Sequence, residues 1–349
     1  MPRNRGFGIA PAVLLILSAF TVLAQAAPPA DPATAVRDER RRAVEEGRLK
    51  LPLPGTPDTN RPLDRLTAAG VQLGAPVFLR VFKAESELEL WIQRKSRYVL
   101  FATYPICYWS GGLGPKLREG DRQTPEGFYV ITEKQLHRGG RWRRSLNIGY
   151  PNPFDRVQGR TGSLILIHGG CDSIGCFAMT NAVSAELHDV VAASLRGGND
   201  HVPVHVFPFR MTSENLAAHT GSRWAPFWTD LQAGYESFER TRVPPRVSVC
   251  DKRYRVEDAS PFVRTPDHID VCPRDREIIA KALEQAEPKP AAETAQVAGQ
   301  RHAARAVPPP PRCSMSRPSC RRWVALRDRR DASRMISGRI GTSKRTKIR

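Results

Sequence analysis

Six short runs rich in β-branched and aromatic residues constrain the fold of this chain more than any other feature. The runs are Val77–Phe82, Leu88–Ile92, Tyr98–Tyr104, Phe128–Thr132, Leu164–Ile167 and Val202–Phe207. Several alternate apolar and polar residues, and turn-like segments separate them, as is typical of strands in a sandwich or barrel. We therefore predict a mainly β domain with flanking helices over residues 73–210.

Two segments have helical periodicity instead. Thr180 is placed to cap a helix that runs to about Leu195 with one apolar face. An aromatic stripe from Trp224 to Phe238 predicts a second helix that packs on the sheet. We assign this second helix to a C-terminal helical extension, residues 211–283.

The N-terminus has the three parts of a secretory signal peptide. Arg3 and Arg5 precede an apolar run from Ile9 to Leu23, and Ala24-Gln25-Ala26 supplies small residues for cleavage. The run is shorter than the roughly 20 residues that span a membrane. We predict a signal peptide at 1–26 and export to the periplasm or cell envelope, with an uncleaved anchor as the alternative. Residues 27–72 are interpreted as a linker arm, with a weakly periodic helix in its first half.

Most of the positive charge lies at the C-terminus. The chain has a formal net charge of +19, yet residues 301–349 hold 15 Lys/Arg against 2 Asp/Glu. Such a segment cannot bury enough apolar surface to fold alone. We predict a disordered basic tail at 284–349. An exported protein rarely meets nucleic acid, so anionic wall or lipid surfaces are the expected contacts, if the tail has a partner at all.

The chain has seven cysteines, and an odd number leaves at least one unpaired. Cys250 can pair with Cys272, and Cys313 with Cys320, although spacing alone does not decide either pairing. The other three cysteines lie in the predicted β domain: Cys107, Cys171 and Cys176.

The chemistry concentrates in the segment LILIHGGCDSIGCFAM, residues 164–179. His168 ends a strand, and Cys176 comes shortly before the predicted helix, whose dipole would lower the pKa of the thiol. A thiol and an imidazole within reach form the nucleophile and base of acyl-transfer enzymes. Gly175 would let the Gly175 and Cys176 amides face a developing oxyanion. A structural pair or a metal-ligand pair remains the alternative.

This segment resembles the YkuD-like L,D-transpeptidase family, whose signature is His-Gly followed by Ser-x-Gly-Cys. His168-Gly169 and Ser173-Ile174-Gly175-Cys176 match it, and residues 121–129 (DRQTPEGFY) resemble a second family segment. Over residues 75–210 the resemblance implies a β-rich catalytic fold that acts on peptidoglycan stem peptides. It implies Cys176 as nucleophile, His168 as proton carrier and the Gly169 carbonyl as the group that orients the imidazole. Ser173 has a supporting role, and neither a cofactor nor a metal is expected.

Two departures point to the YafK-like branch of the family. Ala178 replaces the usual Arg two residues after the cysteine, and only eight residues separate His168 from Cys176. The branch is associated with hydrolysis at diaminopimelate, including release of wall-bound lipoprotein, as well as with transpeptidation. The acyl acceptor therefore stays open between an amine and water.

Several other residues are weaker candidates for the site. Cys171 is an alternative nucleophile or a redox partner of Cys176, and His205 lies in an apolar strand. Cleft-lining or substrate-carboxylate roles, against ordinary packing or solvation, are open for Lys116, Arg118, Arg122, Tyr104 and Trp109.

Two rival classes of function complete the predictions. One is a zinc site built from His168, Cys171 and Cys176, completed by Cys250, His268 or Cys272, although paired ligand spacing is lacking. The other is a wall-binding module whose cysteine does no chemistry.

Overall fold

The computed structural model describes residues 34–140, 142–260, 266 and 268–286. These residues all belong to one compact unit, residues 1–287. The predicted signal peptide, the basic tail from 287 onward and the Cys313–Cys320 pair lie outside the described residues. Residues 284–286, predicted as the start of a disordered tail, end a helix instead. None of the helices that are described has the length and apolar character to cross a membrane.

Thirteen strands and seven α-helices occur within this described part. The strands are β1 (Val77–Phe82), β2 (Glu87–Arg94), β3 (Arg97–Pro105), β4 (Tyr108–Trp109), β5 (Gly127–Ile131), β6 (Leu136–His137), β7 (Ser145–Asn147), β8 (Leu166–Gly169), β9 (Phe177–Met179), β10 (Val202–Phe207), β11 (Arg246–Cys250), β12 (Arg253–Glu257) and β13 (Asp270–Val271). The helices are α1 (Ala35–Glu45), α2 (Pro62–Ala69), α3 (Pro153–Val157), α4 (Asn181–Arg196), α5 (Ser213–Ala218), α6 (Ala225–Thr241) and α7 (Pro273–Ala286). The predicted fold class, mainly β with flanking helices, is confirmed.

The first sheet has the order β3-β2-β1-β10-β5. Its central strand β1 pairs antiparallel with β2 and parallel with β10. Every residue of β1 is buried, because both faces of this strand are covered. Leu79 and Val81 pack into the main core, whereas Phe82 packs on the opposite side against residues of α6.

The second sheet has the order β4-β9-β8-β7-β6 and packs across the main core from the first sheet. Ile167 of β8 and Phe177 and Met179 of β9 point into that core. The two sheets therefore form the predicted sandwich, with α4 adding Val183 and Leu187 to the same core. Thr180 caps α4, since its Oγ1 accepts a hydrogen bond from the Val183 amide at 3.3 Å, as predicted.

The C-terminal extension is not purely helical, which corrects the prediction. It holds a third sheet of order β12-β11-β13 beside α5, α6 and α7. Cys250 and Cys272, whose pairing the sequence left open, form a disulfide that joins the end of β11 to the residue before α7. The strands β11 and β12 alternate polar and apolar residues (RVSVC and RYRVE) on either side of the two-residue turn Asp251-Lys252. The sequence thus carries a hairpin signal that the prediction of a helical extension overlooked.

The arm before the sandwich is folded over much of its length. α1 lies against β4, where the Arg37 guanidinium covers the Trp109 ring at 4.3 Å and Arg41 donates to the Tyr108 hydroxyl at 3.0 Å. The Arg65 side chain of α2 donates to Glu186 of α4 at 2.7 Å. Residues 34–69 thus contact the sandwich rather than forming a free linker, and α1 lies where the sequence predicted a weakly periodic helix.

We predict that Gly234→Ala destabilises the protein even though alanine is the better helix former. A Cβ at Gly234 in α6 would lie 2.5 Å from Cζ of Phe128 in β5. Overpacking costs about 1–3 kcal/mol, which outweighs the gain of up to about 1 kcal/mol in helix propensity. Urea unfolding measures the change in unfolding free energy. The reverse substitution Ala233→Gly, on the exposed face of α6, is the matched control, because it measures the effect of helix propensity without a change in packing. An increase in unfolding free energy for Gly234→Ala would show that α6 does not pack on β5 as described.

Candidate functional site

His168 and Cys176 lie on one face of the second sheet. β8 and β9 are parallel neighbours, with Ile167 opposite Phe177 and His168 opposite Ala178. Ile167 and Phe177 point into the core, so His168 and Cys176 point to the other face, because side chains alternate along a strand. Two residues of strand rise and one strand spacing put the two Cα atoms roughly 8 Å apart. That separation lets a thiol and an imidazole approach one another across the strand pair.

Cys176 is the one described cysteine outside a disulfide. Cys107 is bonded to Cys171, and Cys250 to Cys272. Cys171 is therefore neither an alternative nucleophile nor the disulfide partner of Cys176 in this structure. The rival zinc site loses its sulfur ligands other than Cys176 for the same reason.

Burial raises the pKa of the Cys176 thiol. The Leu166 amide, the Ser173 side chain and the Lys116 charge act in the opposite direction but do not outweigh burial. The Leu166 amide donates to Sγ at 3.3 Å, and the thiol points to the Leu164 carbonyl at 3.6 Å. The site is thus a desolvated one in which the neutral thiol is favoured.

The predicted helix-dipole effect on Cys176 is wrong. β9 lies between Cys176 and α4, which begins only at Asn181. Four residues of extended chain, from Cys176 to the Thr180 cap, span about 13 Å. A helix dipole acts over little more than its first turn, so α4 does not lower the pKa of this thiol.

The His168 imidazole is oriented by its neighbour. Nδ1 lies 2.7 Å from the Gly169 carbonyl oxygen, which can only accept, so Nδ1 carries the proton of the neutral ring. Nε2 is then the nitrogen that can take a proton. Burial lowers the pKa of His168, against the opposing effects of the Gly169 hydrogen bond and the Asp172 charge. The ring is therefore uncharged at neutral pH, and its Nε2 can accept a proton.

Two glycines of the segment are required by geometry. A Cβ at Gly169 would lie 2.4 Å from Oδ1 of Asn181, the first residue of α4. Gly175 has a φ of +105°, which a residue with a Cβ rarely adopts. Gly169 thus permits the close approach of α4, and Gly175 the turn into Cys176.

The two amides predicted to face an oxyanion already have acceptors. The Gly175 amide donates to Ser110 Oγ at 2.6 Å, and the Cys176 amide donates to Ser173 Oγ at 2.8 Å. The structure therefore does not leave these amides open, which corrects the predicted orientation. They would serve a substrate oxygen only if it displaced the hydroxyls. Ser173, a predicted supporting residue, does contact the Cys176 backbone, whereas the contact of Ser110 with Gly175 was not predicted.

The upstream family segment, residues 121–129, makes hydrogen bonds that support the site. The Thr124 hydroxyl accepts from the Ser110 amide at 3.0 Å and donates to the Cys176 carbonyl at 3.4 Å. The Glu126 carboxylate accepts from the Gly114 amide at 2.6 Å. The segment thus joins the loop at 110–114 to Cys176, the residue immediately before β9.

Glu126 also forms a fully buried ion pair that the sequence did not reveal. Lys83 Nζ donates to the Glu126 carboxylate at 2.9 Å and to the carbonyls of Gly114 and Thr124 at 2.9 and 3.0 Å. Neither side chain of the pair is exposed, and Trp228 Nε1 donates to the other Glu126 oxygen at 2.8 Å. The only sequence trace was a lysine at the end of an apolar strand.

The weaker candidates are mostly structural. Tyr104 and Trp109 are fully buried, and their polar atoms bond to Glu186 and to Ser86 rather than facing a cleft. His205 lies buried between the rings of Phe78 and Phe128, with a strongly lowered pKa caused by burial.

The basic residues of the loop at 116–122 differ in burial and in their contacts. Lys116 is buried and paired with Asp121, yet its charge acts on the Cys176 thiol. The Arg118 and Arg122 side chains lie at exposed positions of the same loop. Lys116 is thus the cation of this loop that bears on the thiol.

A further residue of the site, Trp142, was missed altogether. Its ring centroid lies 4.5 Å from that of His168, with the planes inclined by 51°. The surrounding residues are basic and polar, so the sequence looked like an ordinary solvated turn.

The comparisons with known proteins agree with the motifs. The model for the YkuD family, "L,D-transpeptidase catalytic domain", matches residues 78–206. A curated relative of Escherichia coli (strain K12), described as "Putative L,D-transpeptidase YafK", is 45% identical over 184 residues, which are 53% of this chain and 75% of the relative. The chain belongs to the YkuD L,D-transpeptidase family.

Two solved structures are also similar to this L,D-transpeptidase-family chain. One is the helical cell shape determining protein Pgp2 from Campylobacter jejuni, 18% identical, covering 66% of this chain and 80% of that one with a TM-score of 0.31. The other is Bd1075 from Bdellovibrio bacteriovorus, 22% identical, covering 47% and 62% with a TM-score of 0.28. Both alignments are too loose to bear on the site of the L,D-transpeptidase domain.

We predict that Glu126→Gln strongly destabilises the L,D-transpeptidase domain. The substitution leaves the buried Lys83 ammonium without its carboxylate, and breaking a buried pair in this way costs about 3–5 kcal/mol. Urea unfolding measures the loss. Glu133→Gln is the matched control, because its exposed pair with Arg138 should contribute under about 1 kcal/mol. Equal losses for the two variants would contradict the buried pair.

We also predict that Cys176 is alkylated with an apparent pKa above the roughly 8.5 of an ordinary thiol. Burial is the cause, and it opposes thiolate formation in the folded protein without substrate. Iodoacetamide labelling across pH 6–10, with mass mapping of the Cys176 peptide, gives the profile. The denatured chain supplies the ordinary value as control. An apparent pKa below 7 in the folded protein would mean that a thiolate–imidazolium pair dominates instead.

Proposed function

We propose that this protein is an exported cysteine enzyme of the L,D-transpeptidase type that acts on stem-peptide amide bonds of peptidoglycan at diaminopimelate. The observation that carries the proposal is the unpaired Cys176 on the same sheet face as His168, within a domain of this family. The substrate class comes from the family resemblance. The N-terminal sequence of Arg3, Arg5 and the apolar run supports export.

In the proposed mechanism, Cys176 Sγ attacks the amide carbonyl while His168 Nε2 takes the thiol proton. The lowered pKa of His168 keeps the ring neutral and able to accept that proton. The tetrahedral intermediate expels the amine, which receives the proton from His168. A thioester between Cys176 and the stem peptide remains, and its carbonyl carbon is the next point of attack.

The acceptor decides the reaction class. An amine from a second stem peptide gives transpeptidation, and water gives hydrolysis, so one site supports both outcomes. Hydrolysis is the second candidate because Ala178 stands where the family usually has an arginine. Without that arginine a contact for a substrate carboxylate or backbone is lost, which puts the ordinary transfer substrate in doubt. Release of wall-linked lipoprotein would be hydrolysis of this kind.

The basic tail would hold the enzyme near anionic surfaces of the cell envelope.

We predict that digestion of intact sacculi by the wild-type protein changes the muropeptide profile and that Cys176→Ala abolishes the change. Mass analysis of the fragments distinguishes the reactions. New cross-linked dimers mean transfer, whereas trimmed stems or released lipoprotein mean hydrolysis. His168→Ala should lose most of the activity, since general-base assistance contributes about 10²–10⁴-fold. Leu63→Ala, at an exposed position of α2, is a control that touches neither the site nor a disulfide.

The non-catalytic alternative, a wall-binding module, predicts a different pattern. If the protein is such a module, the wild type and the Cys176→Ala variant would bind sacculi equally well, and neither would change the composition of the sacculi. A carbapenem, which acylates cysteines of this family, would add no mass to Cys176 in a module. Failure of both the digestion and the acylation would refute the enzymatic proposal.

A further inference from the structure

The candidate base His168 is almost completely buried although it belongs to a site that must receive a polymer. Its exposed fraction is 2%, whereas that of Trp142 is 38%. The two rings lie 4.5 Å apart between centroids, inclined by 51°. The more exposed indole therefore covers the imidazole from the solvent side.

The turn that carries Trp142 is tied to the body of the domain. This turn joins β6 to β7, and the Trp142 carbonyl accepts from Ser145 Oγ at 2.6 Å. Next to it, the Arg144 carbonyl accepts from Ser184 Oγ of α4 at 2.9 Å, and the Arg144 guanidinium pairs with Asp189 of α4. The indole is thus presented to His168 by a turn anchored at its base.

We propose that Trp142 is a positioning residue that holds His168 in its working orientation and limits the access of water to the Cys176 thioester. The Gly169 carbonyl fixes one edge of the imidazole through Nδ1, and the indole covers one face. Two contacts of different direction are enough to restrict rotation of a ring about χ1 and χ2. This role depends on the proposed function only for its second part, since orientation of His168 is a property of the protein without substrate.

Shielding matters because water and an amine compete for the same thioester. An apolar cover over the base removes water from the position where it would be activated. A substrate amine, delivered by a stem peptide, can replace the indole contact with its own. We therefore expect Trp142 to bias the acyl-enzyme towards transfer.

The first test is NMR titration of the His168 ring in the full-length protein without substrate. Trp142→Ala should raise the pKa of His168 towards that of an ordinary histidine, because burial is the main cause of its lowered value. Asp172→Asn is the opposite control, since the Asp172 charge raises that pKa and its removal should lower it further. Leu63→Ala, an exposed apolar residue on α2, should leave the titration unchanged. An unchanged or lowered pKa in Trp142→Ala would overturn the positioning role.

The second test is the ratio of hydrolysed to transferred product from sacculi in the presence of an added amine acceptor. Trp142→Ala should raise this ratio severalfold, and Trp142→Phe should restore most of the wild-type value because it keeps an aromatic cover. An unchanged ratio would overturn the shielding role while leaving the enzymatic proposal intact. If the wild type forms no Cys176-dependent product, the proposed function fails, and the NMR titration still decides the positioning role.

Discussion

The parallel pairing of β8 with β9 determines which side chains share the outer face of the second sheet. In this register Ile167, Phe177 and Met179 enter the core, so their neighbours His168 and Cys176 must face outward together. A shift of one residue in either strand would bury the thiol or the imidazole in the core. One hydrogen-bond register therefore determines both which residues enter the core of the sandwich and which face the candidate site.

That register is held in place by contacts from distant parts of the chain. The Cys107–Cys171 disulfide ties the loop between the two strands to the residue before β4, and β4 pairs with β9 on its other edge. Thr124 and the buried Lys83–Glu126 ion pair connect the site to the first sheet. Much of the family segment around Thr124 thus serves support rather than reaction chemistry.

Local sequence patterns predicted several of the strands and helices, whereas the features that were not predicted arise from contacts between residues far apart in the chain. The bounds of β1 and β10 and the Thr180 cap of α4 followed from alternation and capping, which depend on neighbouring residues. The candidate nucleophile and base were also legible, because the motif keeps them close in sequence. β9 was missed since three residues carry too little periodicity, and the dipole argument failed with it. The pairing of Cys107 with Cys171 and the indole over His168 join residues 64 and 26 positions apart, which no local pattern encodes.

Burial shifts the pKa of both candidate catalytic groups, and in each case it favours the neutral form. It raises the pKa of the Cys176 thiol and lowers that of the His168 imidazole, so each group is held in its neutral form. An ion pair formed in advance, as in cysteine enzymes that keep a thiolate beside an imidazolium, is disfavoured here. In the proposed mechanism, proton transfer from Sγ to Nε2 would then accompany attack on the substrate carbonyl rather than precede it. A neutral thiol is also the form that resists oxidation, which suits a lone cysteine in a protein whose other described cysteines are all oxidised.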